Sequence, residues 1–416
     1  MEVAGAWECG FMEQNIQKYA HEAILRGLRL PFGAALLEDL RTALSRITDW
    51  NYLLQTALDQ GVFPSLYRQV ADNCPEVVPP QILVKWQRLY KAHAQRNLKI
   101  TGGLIQVLNL LGDNGIIAVS YKGPLLAAVA YGDIAFRQFV DLDILVRRKD
   151  IERVRNLLSS QGYRLSYSLT AKQERAHLQG AVEFTFAHPQ RALLDVHWRF
   201  AADYLGVGPN PEEAIARRMA VKILGKTVYT LDPETNLLVL CLNGALHIWS
   251  RLGLINDLAH LIKVQARWDW TGLLDRAQEL GMRRQVLLGL SLAHDFLSAP
   301  VPGEIMRKAE ADPNITALSR QVKKNILVLK EEDLGLIAVT AFYLQTRDRF
   351  KDKLTHVVVR LAIPTVEDWR RVPLPDSLYW MYYVIRPLRL GLQSLALPFL
   401  QRAQVLLPIK ACRIHH

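Results

Sequence analysis

The chain has 416 residues, which is too long for one ordinary domain, and half of them are hydrophobic, which excludes an intrinsically disordered protein. Lysine and arginine outnumber aspartate and glutamate by 51 to 40, a net charge of +11. Residues 347–416 hold twelve basic and five acidic residues, a net of +7. This basic region favours phosphate-bearing partners or an anionic membrane surface.

The cysteines and the N-terminus indicate the expected cellular setting. Cys9, Cys74, Cys241 and Cys412 are far apart and form no CxxC pair, so neither a zinc cluster nor a disulfide framework is predicted. A reducing cytoplasm is the simplest setting. The first residues lack the pattern of a signal peptide. The longest late uncharged run, residues 390–401, is shorter than the roughly 20 residues that span a bilayer, so no transmembrane segment is expected.

Hydrophobic spacing divides the chain into four regions. Residues 1–100 repeat apolar side chains every three or four positions, which predicts a helical region. One helix is expected from about residue 81 into the 90s, and another around residues 104–111. Residues 101–231 alternate short apolar strands with helices, which predicts a small mixed α+β core. Residues 232–350 form a second helical region, and 351–416 a basic, aromatic extension. The predicted fold class is therefore an α+β core flanked by helical regions.

Two aspartates stand on one predicted strand, 139–146. Because side chains alternate along a strand, Asp141 and Asp143 share a face while Leu142 and Ile144 point into the core. Neighbouring carboxylates repel each other and favour a bound cation. A hard divalent cation such as Mg²⁺ prefers such oxygen ligands, and Mn²⁺ is the alternative. An Asp-x-Asp pair alone is a weak motif, because most such pairs are solvated.

A later strand, residues 192–198, supplies a third acid. Asp195 shares a face with His197, while Val196 points to the core. If the two strands are neighbours, three carboxylates converge, as in two-metal phosphoryl or nucleotidyl transfer. We therefore predict Asp141, Asp143 and Asp195 as catalytic and metal-binding residues.

Basic and flexible residues near these acids are candidates for nucleotide binding. Lys122 and Gly123 form a turn between a strand and a helix, and Lys122 is either a phosphate contact or a surface lysine. Arg137 would bind phosphate or neutralise the carboxylates. His197 would orient a substrate or act as a base, or it packs as a hydrogen-bonded histidine beside Trp198.

With these residues in place, the chain resembles the uncharacterised nucleotidyltransferase family of the polymerase-β-like superfamily over about residues 100–280. The matching motifs are Tyr121-Lys122-Gly123-Pro124, Tyr131-Gly132-Asp133, Asp141-Leu142-Asp143, Gln161-Gly162-Tyr163 and Leu194-Asp195-Val196-His197-Trp198. The resemblance implies that Asp141 and Asp143 bind an Mg²⁺–NTP and that Asp195 completes the metal site. It places Gly123 at the triphosphate turn, where related enzymes follow the glycine with serine and this chain has Pro124. The following helical stretch has Asn243 where the family usually has histidine.

Three functions follow from these patterns. The first is metal-dependent transfer of a nucleoside monophosphate from an NTP to an unidentified hydroxyl acceptor: a small molecule, a peptide, a protein or an RNA end. The second is a non-catalytic binding or scaffold protein of the same fold that engages anionic partners through its basic C-terminal region. The third is a phosphate-ester hydrolase. The arginines and aromatics of that region predict a nucleic-acid surface, an interfacial membrane segment or a packed helical extension.

Overall fold

The computed structural model describes residues 2–29, 34–202, 207–328 and 335–392. Its N-terminal part is helical, with α1 (Glu2–Leu28), α2 (Ala34–Leu44), α3 (Trp50–Asp59), α4 (Phe63–Asn73) and α5 (Pro80–Asp113). Helix α5 is continuous where two helices were predicted. Gly102 and Gly103 do not end it, because buried neighbours such as Leu104 pack it against the sheet. Helix α5 thus crosses the predicted boundary at residue 100.

The α+β core contains a mixed sheet. Its strands are β1 (Ala118–Ser120), β2 (Asp141–Val146), β3 (Arg164–Leu165), β4 (Glu183–His188) and β5 (Arg191–His197). The helices between them are α6 (Gly123–Leu126), α7 (Ile151–Ser160) and α8 (Ala171–Gly180). The strand order is β1-β2-β5-β4-β3, in which β2 and β5 are parallel and the other neighbours are antiparallel. The strands that carry the predicted acids are therefore direct neighbours.

The two faces of this sheet have different chemistry. Leu142, Ile144 and Val196 are buried on one face, in a core that α5 and α7 complete. Asp143 and Asp195 point to the opposite face, because side chains alternate along each strand. Apolar burial on the first face therefore holds the acids of the second face in place.

A second group of helices follows the core. It contains α9 (Pro211–Ala216), strands β6 (Met219–Ile223) and β7 (Lys226–Thr230), α10 (Pro233–Leu246), α11 (Leu252–Val264), α12 (Trp270–Glu279), α13 (Arg283–Leu297), α14 (Gly303–Glu310) and α15 (Pro313–Asn325). Asp232 caps α10 by accepting a hydrogen bond from the backbone N–H of Thr235. These helices share one apolar core with α1 to α4. The predicted fold, an α+β core flanked by helical regions, is confirmed.

The described part of the C-terminal extension contains α16 (Leu336–Gln345), α17 (Phe350–Ala362), α18 (Val366–Arg371) and a helix over 382–392. Trp369, Tyr379 and Tyr382 form a small apolar core. Arg386 and Arg389 both pair with the buried Asp368. This part of the basic, aromatic region is a packed helical extension, while residues 393–416 lie outside the described residues. No helix within the described ranges is long and apolar enough to cross a membrane.

Candidate active site

Strand pairing brings two of the predicted acids side by side. Asp143 on β2 lies directly opposite Asp195 on β5, and neighbouring strands are about 4.8 Å apart. Asp141 stands two residues before Asp143 on the same face. Together they line a cavity of about 260 Å³ between the sheet and α10. Its other lining residues include Tyr121, Lys122, Glu183, His197, Phe200, Asn243 and His247.

Asp143 is held by two cations. Its Oδ1 accepts hydrogen bonds from Lys122 Nζ at 3.1 Å and from His197 Nε2 at 3.0 Å, and the residue is only 5% exposed. Burial alone would raise the pKa of Asp143, but Lys122 and His197 together hold that pKa well below its usual range. Asp143 is therefore ionised at any physiological pH, and its Oδ1 is held by two donors.

His197 bridges Asp143 to a further acid, Glu183, which the sequence analysis missed. Its Nδ1 lies 2.9 Å from Glu183 Oε2, across the antiparallel β4–β5 pair. An imidazole that faces carboxylates at both nitrogens is doubly protonated. Burial would lower the pKa of His197, yet the hydrogen bonds to Asp143 and Glu183 raise it to about 9. Strand alternation would have placed Glu183 on this face, had the β4–β5 pairing been known.

Asp195 keeps one of its two carboxylate oxygens without a partner in the described part of the chain. Its Oδ1 is buried without a hydrogen-bond partner among the described residues. Burial raises the pKa of Asp195 to about 6, the charges of Glu183 and Asp143 add to the rise, and a hydrogen bond from Thr185 opposes it. Such an unsatisfied buried oxygen is costly to folding, and it is an available ligand or proton acceptor.

This cost predicts that Asp195→Asn stabilises the protein. Because the folded pKa lies above the unfolded one, wild-type stability falls as pH rises from about 4 to 6 and stays low above that. The shift corresponds to about 3 kcal/mol, which partial exposure reduces to about 1–2 kcal/mol. Urea unfolding should therefore show Asp195→Asn to be more stable by that amount at pH 8 and nearly equal to wild type near pH 4. Exposed Asp275→Asn is the control, and a destabilised Asp195→Asn at pH 8 would contradict this assignment.

The three carboxylates offer the oxygen ligands that a hard divalent cation prefers. Burial raises the pKa of Asp141, and repulsion from Asp143 raises it further, so the pair gains from a neutralising cation. Asp195 adds the unsatisfied buried oxygen. Within the described ranges, no three His, Cys, Asp or Glu side chains stand close enough to enclose a metal. Asp143 Oδ1 already accepts hydrogen bonds from Lys122 and His197, so a bound cation would compete with these two groups for that oxygen.

The turn at Gly123 lies close to the backbone of Asp141. Gly123 has a φ of +49°, and a Cβ added there would lie 3.4 Å from the backbone oxygen of Asp141. Glycine is favoured at such a φ because it has no side chain to strain. The next residue, Pro124, supplies neither an N–H nor a hydroxyl for an anion.

Arg137 is not brought to the cavity lining. Its Nε and Nη2 donate to Asp257 Oδ1 and Oδ2 at 2.8 and 2.9 Å, and both side chains are nearly buried. The Tyr131 hydroxyl donates to the same carboxylate at 2.8 Å. These contacts join the loop before β2 to helix α11. Arg137 therefore has a structural partner, while Lys122, Gly123 and His197 stay with the acids.

The site of this chain therefore belongs to a recognisable class. Acids on two adjacent parallel strands of a mixed sheet face a cavity, and a helical region covers that cavity. The chain belongs to the uncharacterised nucleotidyltransferase family, whose sequence model matches residues 47–298, more than half of its length. The predicted family resemblance is thus confirmed. No curated protein matches this sequence.

Among solved structures, the chain is similar to the solution structure of the antibiotic-resistance factor ANT(2'')-Ia. The two are 13% identical with a TM-score of 0.29, over 38% of this chain and 80% of that chain. The family assignment rests on the family model alone, since a TM-score of this size supports no conclusion.

Proposed function

We propose that Asp141, Asp143 and Asp195 catalyse Mg²⁺-dependent transfer of a nucleoside monophosphate from an NTP to a hydroxyl acceptor. The observation that carries the proposal is the pairing of Asp143 with Asp195 across β2 and β5, with Asp195 Oδ1 buried and unsatisfied at the cavity. Membership of a nucleotidyltransferase family supports a transferase. The acceptor is a small molecule, a peptide, a protein or an RNA end.

Each acid has a distinct role in this proposal. Asp141 and Asp143 would hold the Mg²⁺–NTP, and Asp195 would complete the ligand set and accept the proton of the acceptor hydroxyl. The acceptor oxygen bonds to the α-phosphorus while the bond from that phosphorus to the β-phosphate oxygen breaks, and pyrophosphate leaves. A bound divalent cation would neutralise charge on the phosphates; Mn²⁺ would be the alternative.

The cationic side of the site serves the phosphates. Lys122 lines the cavity beside the Gly123 turn, and His197 helps to hold Asp143 in place through the same Oδ1. Because Pro124 lacks the groups that a serine would offer, we assign the missing phosphate contact to the Lys122 ammonium. Because Gly123 has no side chain, its backbone can lie against the backbone of Asp141 at the edge of the site.

This assignment predicts opposite effects of Lys122→Met on two ligands. Without nucleotide, Mn²⁺ should bind about tenfold more tightly, because a cation that competes for Asp143 Oδ1 is removed. NTP should bind about tenfold more weakly, because its phosphates lose a charge-assisted contact. Paramagnetic resonance would follow Mn²⁺, and fluorescence titration would follow NTP. The exposed Lys149→Met serves as control, and shifts of both affinities in one direction would contradict the assignment.

Thermal unfolding tests nucleotide binding without a known acceptor. An NTP at about 100 times its Kd stabilises the folded protein by about 2.7 kcal/mol, which raises the Tm by several degrees. We expect at least one of the four NTPs to do so with Mg²⁺ and not with EDTA. If none does, the proposed function fails.

A non-catalytic scaffold is the second candidate. It is favoured by the hydrogen bonds of Lys122 and His197, which satisfy Asp143 Oδ1 without a metal, and by Pro124, which offers no group to a phosphate. The third candidate, a phosphate-ester hydrolase, uses the same acids. Labelled NTP separates it from a transferase, since hydrolysis yields free nucleotide and no labelled acceptor.

A further inference from the structure

Helix α17 leaves a row of large apolar side chains open to solvent. Phe350, Leu354, Val358 and Leu361 are all exposed, and 79% of Phe350 is accessible. Spacings of four, four and three residues place them on one side of the helix. Asp352, on the opposite side, is buried. The row is therefore an outward-facing stripe.

The helix over 382–392 and the turn before it carry a second stripe. Its exposed members, each four residues after the last, are Trp380, Val384, Leu388 and Leu392. Tyr382, Arg386 and Leu390, on the other side, are buried. This element thus also buries one side and leaves an apolar side uncovered.

The two stripes stand on adjoining elements. Arg386 Nε donates to the backbone oxygen of Arg360 at 2.8 Å, one residue before Leu361. Arg386 Nη1 also donates to Asp368 at 2.6 Å, which fixes the junction through α18. The C-terminal apolar surface is our name for the eight residues of the two stripes: Phe350, Leu354, Val358, Leu361, Trp380, Val384, Leu388 and Leu392. Exposed apolar side chains grouped on one side of an element mark interaction sites.

The charge around this surface is basic. Lys351, Arg370 and Arg371 are exposed, the two arginines beside Glu367. Residues 347–392 hold nine basic against five acidic residues, and of the nine Arg347 and Arg386 are buried. The sequence after Leu392 adds three basic residues and no acidic one. Apolar and aromatic side chains bordered by lysine and arginine fit the interface of an anionic bilayer, where they meet acyl chains and headgroup phosphates.

We infer that the C-terminal apolar surface docks this protein onto an anionic lipid bilayer. Each stripe lies along the bilayer and inserts at headgroup depth. The surrounding cations bind the lipid phosphates. The inference does not depend on the proposed transferase activity, because it uses different residues and a different ligand.

Vesicle flotation of the full-length protein tests the inference. Vesicles of phosphatidylcholine with phosphatidylglycerol should bind it at least about tenfold more tightly than phosphatidylcholine alone, and salt should weaken the binding. Phe350→Glu combined with Leu388→Glu should lower binding at least about tenfold, because two inserted side chains are lost. Leu98→Glu, at an exposed apolar position on α5, should have no effect. Thermal melting confirms that each variant is folded.

Three results would overturn the inference. The first is equal binding to neutral and anionic vesicles, or binding that the double variant leaves unchanged. The second is a dimer in light scattering that the double variant dissociates, which assigns the surface to a second copy of the chain. The third is a monomer that binds no vesicle of either composition.

Discussion

Asp141→Asn should lower the rate of nucleotidyl transfer at least about 10³-fold and leave the folded state intact. The acid is part-buried, and burial and Asp143 both raise its pKa. Removing its charge therefore relieves repulsion in the free protein, so stability should hold or increase. The rate falls because the lost carboxylate would contribute several kcal/mol of charge stabilisation to the transition state. Label transfer from NTP and urea unfolding would measure the two effects.

Asp143→Asn should lower transfer as much but should also cost stability. Its carboxylate is the shared partner of Lys122 and His197. Neutralising it removes the counter-ion of Lys122 and leaves His197 with Glu183 alone, at about 3–5 kcal/mol. The contrast between the two variants is diagnostic, and Asp275→Asn is the exposed control. A fully active Asp141→Asn would contradict the metal-binding role of the pair.

Breaking the Arg137–Asp257 pair should have a large effect on stability and none of the direct effect on the acids. Asp257→Ala removes both acceptors of the Arg137 guanidinium and the partner of the Tyr131 hydroxyl. A buried cation left unpaired costs about 3–5 kcal/mol. Urea unfolding should show a loss of that size.

The control for this prediction is a surface pair of similar geometry. Glu367 and Arg371 lie 2.6 Å apart but are well exposed, so Glu367→Ala should cost under about 1 kcal/mol. The double variant Arg137→Met with Asp257→Leu should recover part of the loss, since it removes both charges. An Asp257→Ala variant within about 1 kcal/mol of wild type would show that Arg137 is not held as described.

Local patterns predicted the part of the site that lies on single strands. Alternation in β2 put Asp141 and Asp143 on one face, and the same rule placed Asp195 with His197 on β5. The convergence of all three acids required β2 and β5 to be neighbours, which the sequence analysis could only assume. Strand pairing across 50 residues is set by tertiary packing, so the sequence alone left it open.

Long-range contacts explain what the sequence did not reveal. Glu183 enters the site only through the β4–β5 pairing. Arg137 was grouped with the acids because it precedes Asp141 by four residues, yet its partner Asp257 is 120 residues away. Helix α5 runs through two glycines because its buried face outweighs their propensity. In each case a distant partner decided the outcome.

The most direct test of the central claim compares two labels on one NTP. The protein is incubated with Mg²⁺ and NTP labelled at either the α- or the γ-phosphate, with fractionated small molecules, peptides, proteins and RNA as acceptors. We expect the α-label to enter a new product and the γ-label to leave as pyrophosphate, in a reaction that EDTA and Asp141→Asn abolish. Transfer of the γ-label to the product, or release of free nucleotide with no labelled product in any fraction, would contradict nucleotidyl transfer at Asp141, Asp143 and Asp195.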